Sequence, residues 1–384
     1  MLESEPPAPA PAASHRRKRS LSRRGALGAG VAVAGAAVLT PAVFAATESD
    51  PGPASAPDAG SRSGSASGGD AATTPESFPA TRSAAATGTG TATTPFAAAW
   101  VGVRWSGDPG GADIRFPGRA GFRPLTGGCA TVEGGGTALV AAGDARTYEV
   151  RAEGGATDVR SLAIDTAHGP ARTVQVPSQP TRVRGVRYLS RPAWGADESK
   201  RYKDGKVNSP EKYYALQSVT VHHTDTPNGD ADPAATVRAI YEYHAVTLDW
   251  GDIGYHFLID EAGDVYEGRY SGDDGIPAFN ADGDLVTAFH TAGYNSGNLG
   301  IALLGTLTDQ APTDAAKASL TRLIKVIARF KGLDPKAQIT YTNPVNGVTK
   351  TVTTVGGHRD WLQTDCPGQT MYDLLTEVRA AASR

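Results

Sequence analysis

Residues 188–384 predict a mixed α/β domain, a central mixed β-sheet flanked by helices, with a small all-β, sandwich-like module ahead of it. Three observations carry this. The runs SVTVHHT and NLGIALLG are β-branched or apolar almost throughout, as buried strands are. Residues suited to one helical face recur at Val237, Ile240, Tyr241 and His244, and again at Leu320, Leu323, Ile324 and Ile327. From Phe96 to about Thr173, segments such as AWVGVRW, ALVAA, TYEVRA and DVRSLAIDT are short and cut by Gly- and Asp-rich turns, the texture of an antiparallel sandwich.

The chain begins with a segment expected to be removed. Residues 1–45 read as a twin-arginine-type signal peptide. Arg23-Arg24 precede an apolar run from Gly25 to about Leu39, and PAVFA places Val43 and Ala45 at the small-residue positions before a cleavage site. The run is too short and Gly-rich to span a membrane well, so no stable insertion is expected after cleavage and the mature protein is expected to be secreted. Residues 46–95 are mostly Ala, Gly, Ser, Thr, Pro and Asp, with few side chains large enough to offset chain entropy by burial. They are expected to form a disordered linker. The β-rich module, of unknown role, then spans 96–173, a connector 174–187, and the α/β domain 188–384.

Within the α/β domain each element has a local cause. SVTVHHT alternates as a strand. Asp232-Pro233 supplies a helix cap and a first-turn proline. IGYHFLID and DVYEGR flank Glu261-Ala262-Gly263 as a hairpin. Thr313 caps a helix that ends at Gly332, and a last helix covers roughly 370–382. YTNPVNGVTKTVT, residues 341–353, reads as an extended loop.

Charge and cysteine content exclude some functions. The formal net charge is −3; residues 1–45 hold six of the 37 basic and two of the 40 acidic residues, so the remainder carries 31 against 38, a formal −7. An acidic balance offers no concentrated basic face and argues against a nucleic-acid partner. Two cysteines are too few for a disulfide framework. The oligomeric state is not written in the sequence.

The chemistry concentrates in HRDWLQTDCPG, which sets an imidazole at His358 and a thiol at Cys366 with seven residues between them. A second imidazole source, His222-His223, ends the SVTVHHT strand. Two imidazoles and one thiolate make three protein ligands, the number that leaves a fourth zinc position open for chemistry; a structural site is closed by four. Alternation puts His222 and His223 on opposite faces of their strand, and the sequence alone does not choose between them. With Cys366 as a ligand, Cys129 is left as a buried, inert thiol. A Cys129–Cys366 disulfide would instead remove the ligand.

Five segments in order, RPAWGA (191–196), VHHT (221–224), DIGYHFLID (252–260), HTAGYNSGNLGIALLG (290–305) and GHRDWLQTDCPG (357–368), resemble the zinc-dependent N-acetylmuramoyl-L-alanine amidases. That family includes the amidase-type phage lysozyme and the peptidoglycan recognition proteins. The resemblance spans about residues 188–384. It implies one Zn2+ held by His222, His358 and Cys366. It implies catalytic parts for Tyr255, beside the metal, and for Thr364, two residues before the cysteine. It implies a substrate groove lined by His290 and Asn295. The reaction implied is hydrolysis of the amide between the muramic lactyl group and L-alanine of the stem peptide, with peptidoglycan as partner and the cell wall as the place of action.

Zinc in such a site lowers the pKa of its water from 15.7 toward ~7. Tyr255 would donate to the developing oxyanion, a contact worth about 2.7–4 kcal/mol. No HExxH glutamate is present, so the general base is unassigned, and proton transfer through Tyr255 or a second water is the expectation. His244 and His256 are expected to be structural and Tyr294 to pack.

The chain departs from its relatives at several points. Some carry lysine where Thr364 stands. Many recognition proteins follow EGR with Gly-Trp, where this chain has Tyr270-Ser271, so the preferred type of stem peptide is not inferred. The insertion SGDDGIPAFNADGDL should form a loop at the groove rim. The rival reading is a non-catalytic module that binds peptidoglycan without cutting it. Relatives of that kind typically lose the cysteine, often to serine, whereas Cys366 and Tyr255 are both retained here. For the β module, exposed Trp100 and Trp105 would suggest glycan contact; a structural spacer is the other reading.

Overall fold

The computed structural model describes residues 72–107, 110–119, 121–125 and 134–384. The signal segment 1–45, residues 46–71 of the expected linker, and Cys129 lie outside these. Among the described residues no helix is long and apolar enough to cross a membrane.

The centre of the α/β part is a five-stranded mixed sheet in the order Val265–Glu267, Phe257–Ile259, Asn298–Leu303, Ser218–His223, Val355–Gly357. Asn298–Leu303 runs parallel to both its neighbours, and Ser218–His223 runs parallel to Val355–Gly357. Only the edge pairing of Phe257–Ile259 with Val265–Glu267 is antiparallel, and it closes the hairpin expected around Glu261-Ala262-Gly263.

Helices cover both faces, as parallel strands require. Helix α1, Pro233–Glu242, is capped by Asp232, whose Oδ1 accepts from the Ala235 amide at 3.0 Å. Its Val237, Ile240 and Tyr241 pack with Leu258, Tyr266, Ala302, Leu304 and Trp194 on one face of the sheet. Helix α2, Asp314–Lys331, is capped by Thr313 Oγ1 and followed by Gly332. Its Leu320, Leu323, Ile324 and Ile327 lie on the other face, with Leu375 and Val378 of α3, Gln369–Ala382, over Val221, Phe257, Ile301 and Leu303. At about 25 cal/mol per Å2 of apolar surface, each such fully buried side chain contributes roughly 1.5–3 kcal/mol relative to exposure.

Three sequence expectations change here. Residues 73–95 are not a disordered linker: Thr73–Pro79 pairs with Ala171–Pro177, Arg82–Thr87 pairs with Thr157–Asp165, and Gly90 opens the long Gly90–Ser106 strand. Small Ala and Thr side chains bury little surface alone, but cross-strand neighbours supply the pairing. Residues 174–187 likewise contribute strands, at Thr181–Val183 and Val186–Tyr188. Residues 341–353 are not one loop; Gln338–Thr342 and Thr349–Thr353 pair as an antiparallel hairpin.

The β module is one six-stranded antiparallel sheet plus the two-stranded ribbon of Thr73–Pro79 with Ala171–Pro177. Alternation divides its long strand. Val101, Val103 and Trp105 face the module's own core with Ile114, Val140 and Tyr148. Trp100 faces the other way, with Leu162 and Ile164, onto Ala239, Tyr243 and Leu248 of the α/β part. Trp100 and Trp105 are 9% and 1% exposed, so neither offers an aromatic face to glycan.

Candidate metal centre

The sheet register brings the first two site residues together. Ser218–His223 and Val355–Gly357 run parallel with Val221 opposite Gly357, so His222 and His358 emerge side by side at the carboxyl ends of adjacent strands. Carboxyl ends of parallel strands are where α/β sheets place their chemistry. The chain then turns through His358–Asp360, and the Arg359 amide donates to the Cys366 carbonyl at 3.0 Å, folding the cysteine back toward the histidines.

Donor atoms of His222, His358 and Cys366 all lie within 4.8 Å of one another, and all three residues are buried. Cys366 is a free thiol whose Sγ lies 3.5 Å from His222 Nδ1. The imidazole rings of His222 and His358 are 4.5 Å apart. Both nitrogens of His358 are buried without a hydrogen-bond partner among the described residues. An orphaned buried imidazole costs free energy unless something takes its lone pair, so this cluster fits a metal ion. Burial holds the His222 imidazole well below its ordinary range, with the neighbouring His358 adding to the effect. Burial lowers His358 to about 3. Both rings are therefore neutral at neutral pH, the form that binds metals.

A second histidine fixes the tautomer of the first. His290 is 3% exposed, and its Nε2–H donates to the Asn298 carbonyl at 3.0 Å. A carbonyl can only accept, so Nδ1 of the neutral His290 ring is the lone-pair nitrogen. That atom accepts from His222 Nε2–H at 3.0 Å and lies 2.8 Å from Thr291 Oγ1. With its proton on Nε2, His222 presents the Nδ1 lone pair toward Cys366. The arrangement depends on glycine at 300, because a Cβ there would sit 2.6 Å from His290 Cγ. The resemblance implies a groove position for His290; the HT of HTAGYN carries no signal for this contact.

Strand alternation separated the histidine pair. His223 accepts from the Leu307 amide through Nδ1 at 3.1 Å, away from the cluster. His256 is internal, donating through Nε2 to the Val286 carbonyl and accepting from the Gly300 amide through Nδ1. His244 accepts the Gly254 amide through Nδ1 at 3.0 Å.

The Tyr255 ring lies 5.3 Å from His222 and is 3% exposed. Period-two alternation along 255–259 would put Tyr255 with Phe257 and Ile259. Instead Tyr255 packs with Leu258 in the α1 layer, while Phe257 and Ile259 pack in the opposite layer. The strand starts only at Phe257, so its period does not reach back to 255. Thr364 Oγ1 accepts from the Cys366 amide at 3.3 Å. Asn295 Oδ1 accepts from the amides of His290 and Thr291 at 2.9 and 2.7 Å, closing the HTAGYN turn. Tyr294 packs with Tyr341 and Trp361.

The family described as N-acetylmuramoyl-L-alanine amidase matches residues 212–369. The human protein named N-acetylmuramoyl-L-alanine amidase is 33% identical over 159 residues, 40% of this chain and 23% of that protein, so the chain spans under a quarter of that relative's length. The Drosophila melanogaster peptidoglycan-recognition protein SC2 is 30% identical over 196 residues, half of this chain and 86% of that protein. Among solved structures, wild-type Drosophila PGRP-LB aligns with a TM-score of 0.36 at 23% identity, covering 50% of this chain and 93% of its own. On the extent and identity of these sequence matches, the chain belongs to the family of N-acetylmuramoyl-L-alanine amidases and peptidoglycan recognition proteins.

Proposed function

We propose that this protein is a secreted zinc amidase that hydrolyses the bond between the muramic lactyl group and L-alanine of the peptidoglycan stem. The observation that carries the reading is the buried cluster of two neutral imidazoles and a thiol, two of its nitrogens orphaned, in a chain of this family. His222, His358 and Cys366 would hold one Zn2+, and three ligands suit a catalytic rather than a structural ion. The ion supplies Lewis acidity toward a carbonyl and acidifies a water molecule.

The remaining work falls to the chain. His290 keeps the His222 proton on Nε2, leaving Nδ1 for the ion. Tyr255, packed beside His222, would donate a hydrogen bond from its phenol O–H to the scissile carbonyl oxygen as charge develops there. Thr364 orders the turn that presents Cys366, and its catalytic part is the one the resemblance implies. Asn295, its oxygen committed to two amides, holds the shape of the HTAGYN turn at the groove. The run and motif at residues 1–45 support export, and the acidic remainder supports a polymer other than nucleic acid as partner.

The test is clearance of purified peptidoglycan suspensions by the metal-stripped protein, the same protein with zinc restored, and Cys366→Ser. Clearance only in the zinc-restored wild type supports the reading. Sedimentation with peptidoglycan but no clearance in any sample makes the protein a recognition module instead.

A further inference from the structure

We propose that the N-terminal β-sheet positions Tyr255, acting through Tyr243 and His244, and so is part of the catalytic apparatus rather than a wall-binding accessory. The inference rests on the catalytic reading of Tyr255 given above.

The contact chain is continuous. Helix α1 ends in a π turn, Tyr243–Thr247, in which the Leu248 amide bonds back to the Tyr243 carbonyl. Such turns insert one residue into a helix and redirect the side chains after it. Here two successive residues serve opposite neighbours. Tyr243 faces the β-sheet: its hydroxyl donates to the Val103 carbonyl at 3.2 Å, and its ring lies against the backbone at Gly102. A Cβ on Gly102 would sit 2.3 Å from Tyr243 Cδ2, so the sheet accepts this ring only because position 102 has no side chain. Trp100, Leu162 and Ile164 close round the same ring with Ala239 and Leu248.

His244 faces the other way. Its Nδ1 accepts the Gly254 amide at 3.0 Å, and its ring packs 5.5 Å from Tyr255 and 5.0 Å from Trp250. Gly254-Tyr255 precedes the Phe257–Ile259 strand, and the Gly254 N–H bonds to the imidazole and not to a neighbouring strand. The carbonyl of Gly254 does accept from the Phe289 amide, and that of Tyr255 from the Arg269 amide. The imidazole is what ties the Gly254 N–H to the π turn. A polar contact reinforces the docking: Ser83 Oγ donates to Glu242 Oε1 at 2.8 Å, and Glu242 also pairs with Lys200. Trp100 is buried in this interface and Trp105 in the module's own core, so neither ring of the long strand is left facing solvent.

The experiment uses the full chain and Gly102→Ala, with Tyr243→Phe as a second variant that keeps the ring and loses the hydroxyl's bonds with Val103, Thr137 and Ala138. Amide hydrogen exchange at Gly254 and zinc affinity are read beside kcat and KM, with Tyr255→Phe run in parallel. The inference expects exchange at Gly254 to rise about tenfold or more in Gly102→Ala, with no rise along Ser218–His223. It expects kcat to fall about tenfold with KM within about twofold, and zinc affinity unchanged. Tyr243→Phe should show the same pattern at smaller size, and it decides the matter if Gly102→Ala does not fold. Unchanged exchange at Gly254 in the folded variants overturns the inference, as does weakened zinc binding in step with activity. A fully active Tyr255→Phe would instead defeat the catalytic reading, and Gly254 exchange would then still decide whether the sheet holds this segment.

Discussion

His222 Nε2 lies 3.0 Å from His290 Nδ1, and His290 hands its own Nε2–H to the Asn298 carbonyl. One backbone carbonyl thus sets the protonation pattern of two buried imidazoles and leaves a single lone pair aimed at Cys366. Partners of this kind typically change metal affinity 10–100-fold when removed.

From this follows a prediction about His290. Replacing it with alanine should weaken zinc binding by about 10–100-fold, measured by chelator competition. His290→Gln, able to accept from His222 and donate to Asn298, should recover part of the loss. Equal affinity in wild type and His290→Ala would remove His290 from the account.

Tyr255→Phe should bind zinc as the wild type does and lose about 10²–10³ in kcat, the usual effect of deleting one oxyanion donor. Steady-state kinetics on soluble muropeptide, with metal content measured in the same samples, checks both halves.

Acid should destabilise the metal-free protein from above pH 6 downward. Burial lowers His244 to about 3, while in the unfolded chain it titrates near the ordinary 6.5. Between those values the unfolded state binds the extra proton, so stability is fully present above the unfolded value and is lost as pH falls toward the folded one. Each such histidine contributes a slope of about 1.4 kcal/mol per pH unit inside the window. Urea unfolding from pH 7 to 4.5 should show the decline, and His244→Gln should flatten it by roughly one proton's worth.

Arg191 ties the RPAWG turn to the loop before Tyr255. It is 3% exposed, with Nε 2.7 Å from Glu198 and Nη1 3.0 Å from Asp252, itself buried. Arg191→Ala takes the nearest guanidinium from buried Asp252, which keeps the Ile253 and Tyr270 amides and Arg201 at 3.9 Å, so the cost should be up to about 3–5 kcal/mol. Arg191→Lys should recover little, because a single ammonium cannot replace the fork that bridges both carboxylates. Thermal or urea unfolding of the two variants measures this.

Much of the α/β part was legible because its signals are local. The Asp232 and Thr313 caps, the apolar face of α2 and the period-two alternation that splits His222 from His223 all act within a few residues. Cys366 and His358 were legible as a pair of donor types at short spacing. What escaped was set by distant partners. Residues 73–95 are strands because Thr157–Asp165, Ala171–Pro177 and Gly135–Ala152 lie beside them. Tyr255 lies in the layer opposite Phe257 and Ile259, against simple alternation, because the strand begins two residues later. The tautomer role of His290 needed Asn298 and a glycine at 300, neither of which marks itself in one sequence.

Mass spectrometry of the products released from purified peptidoglycan tests the central claim most directly. The account predicts free stem peptides beginning at L-alanine, with the lactyl group left on the glycan, from wild type but not from Cys366→Ser. Fragments cut within the peptide or at a glycosidic bond, or intact peptidoglycan bound and never cut, would contradict it.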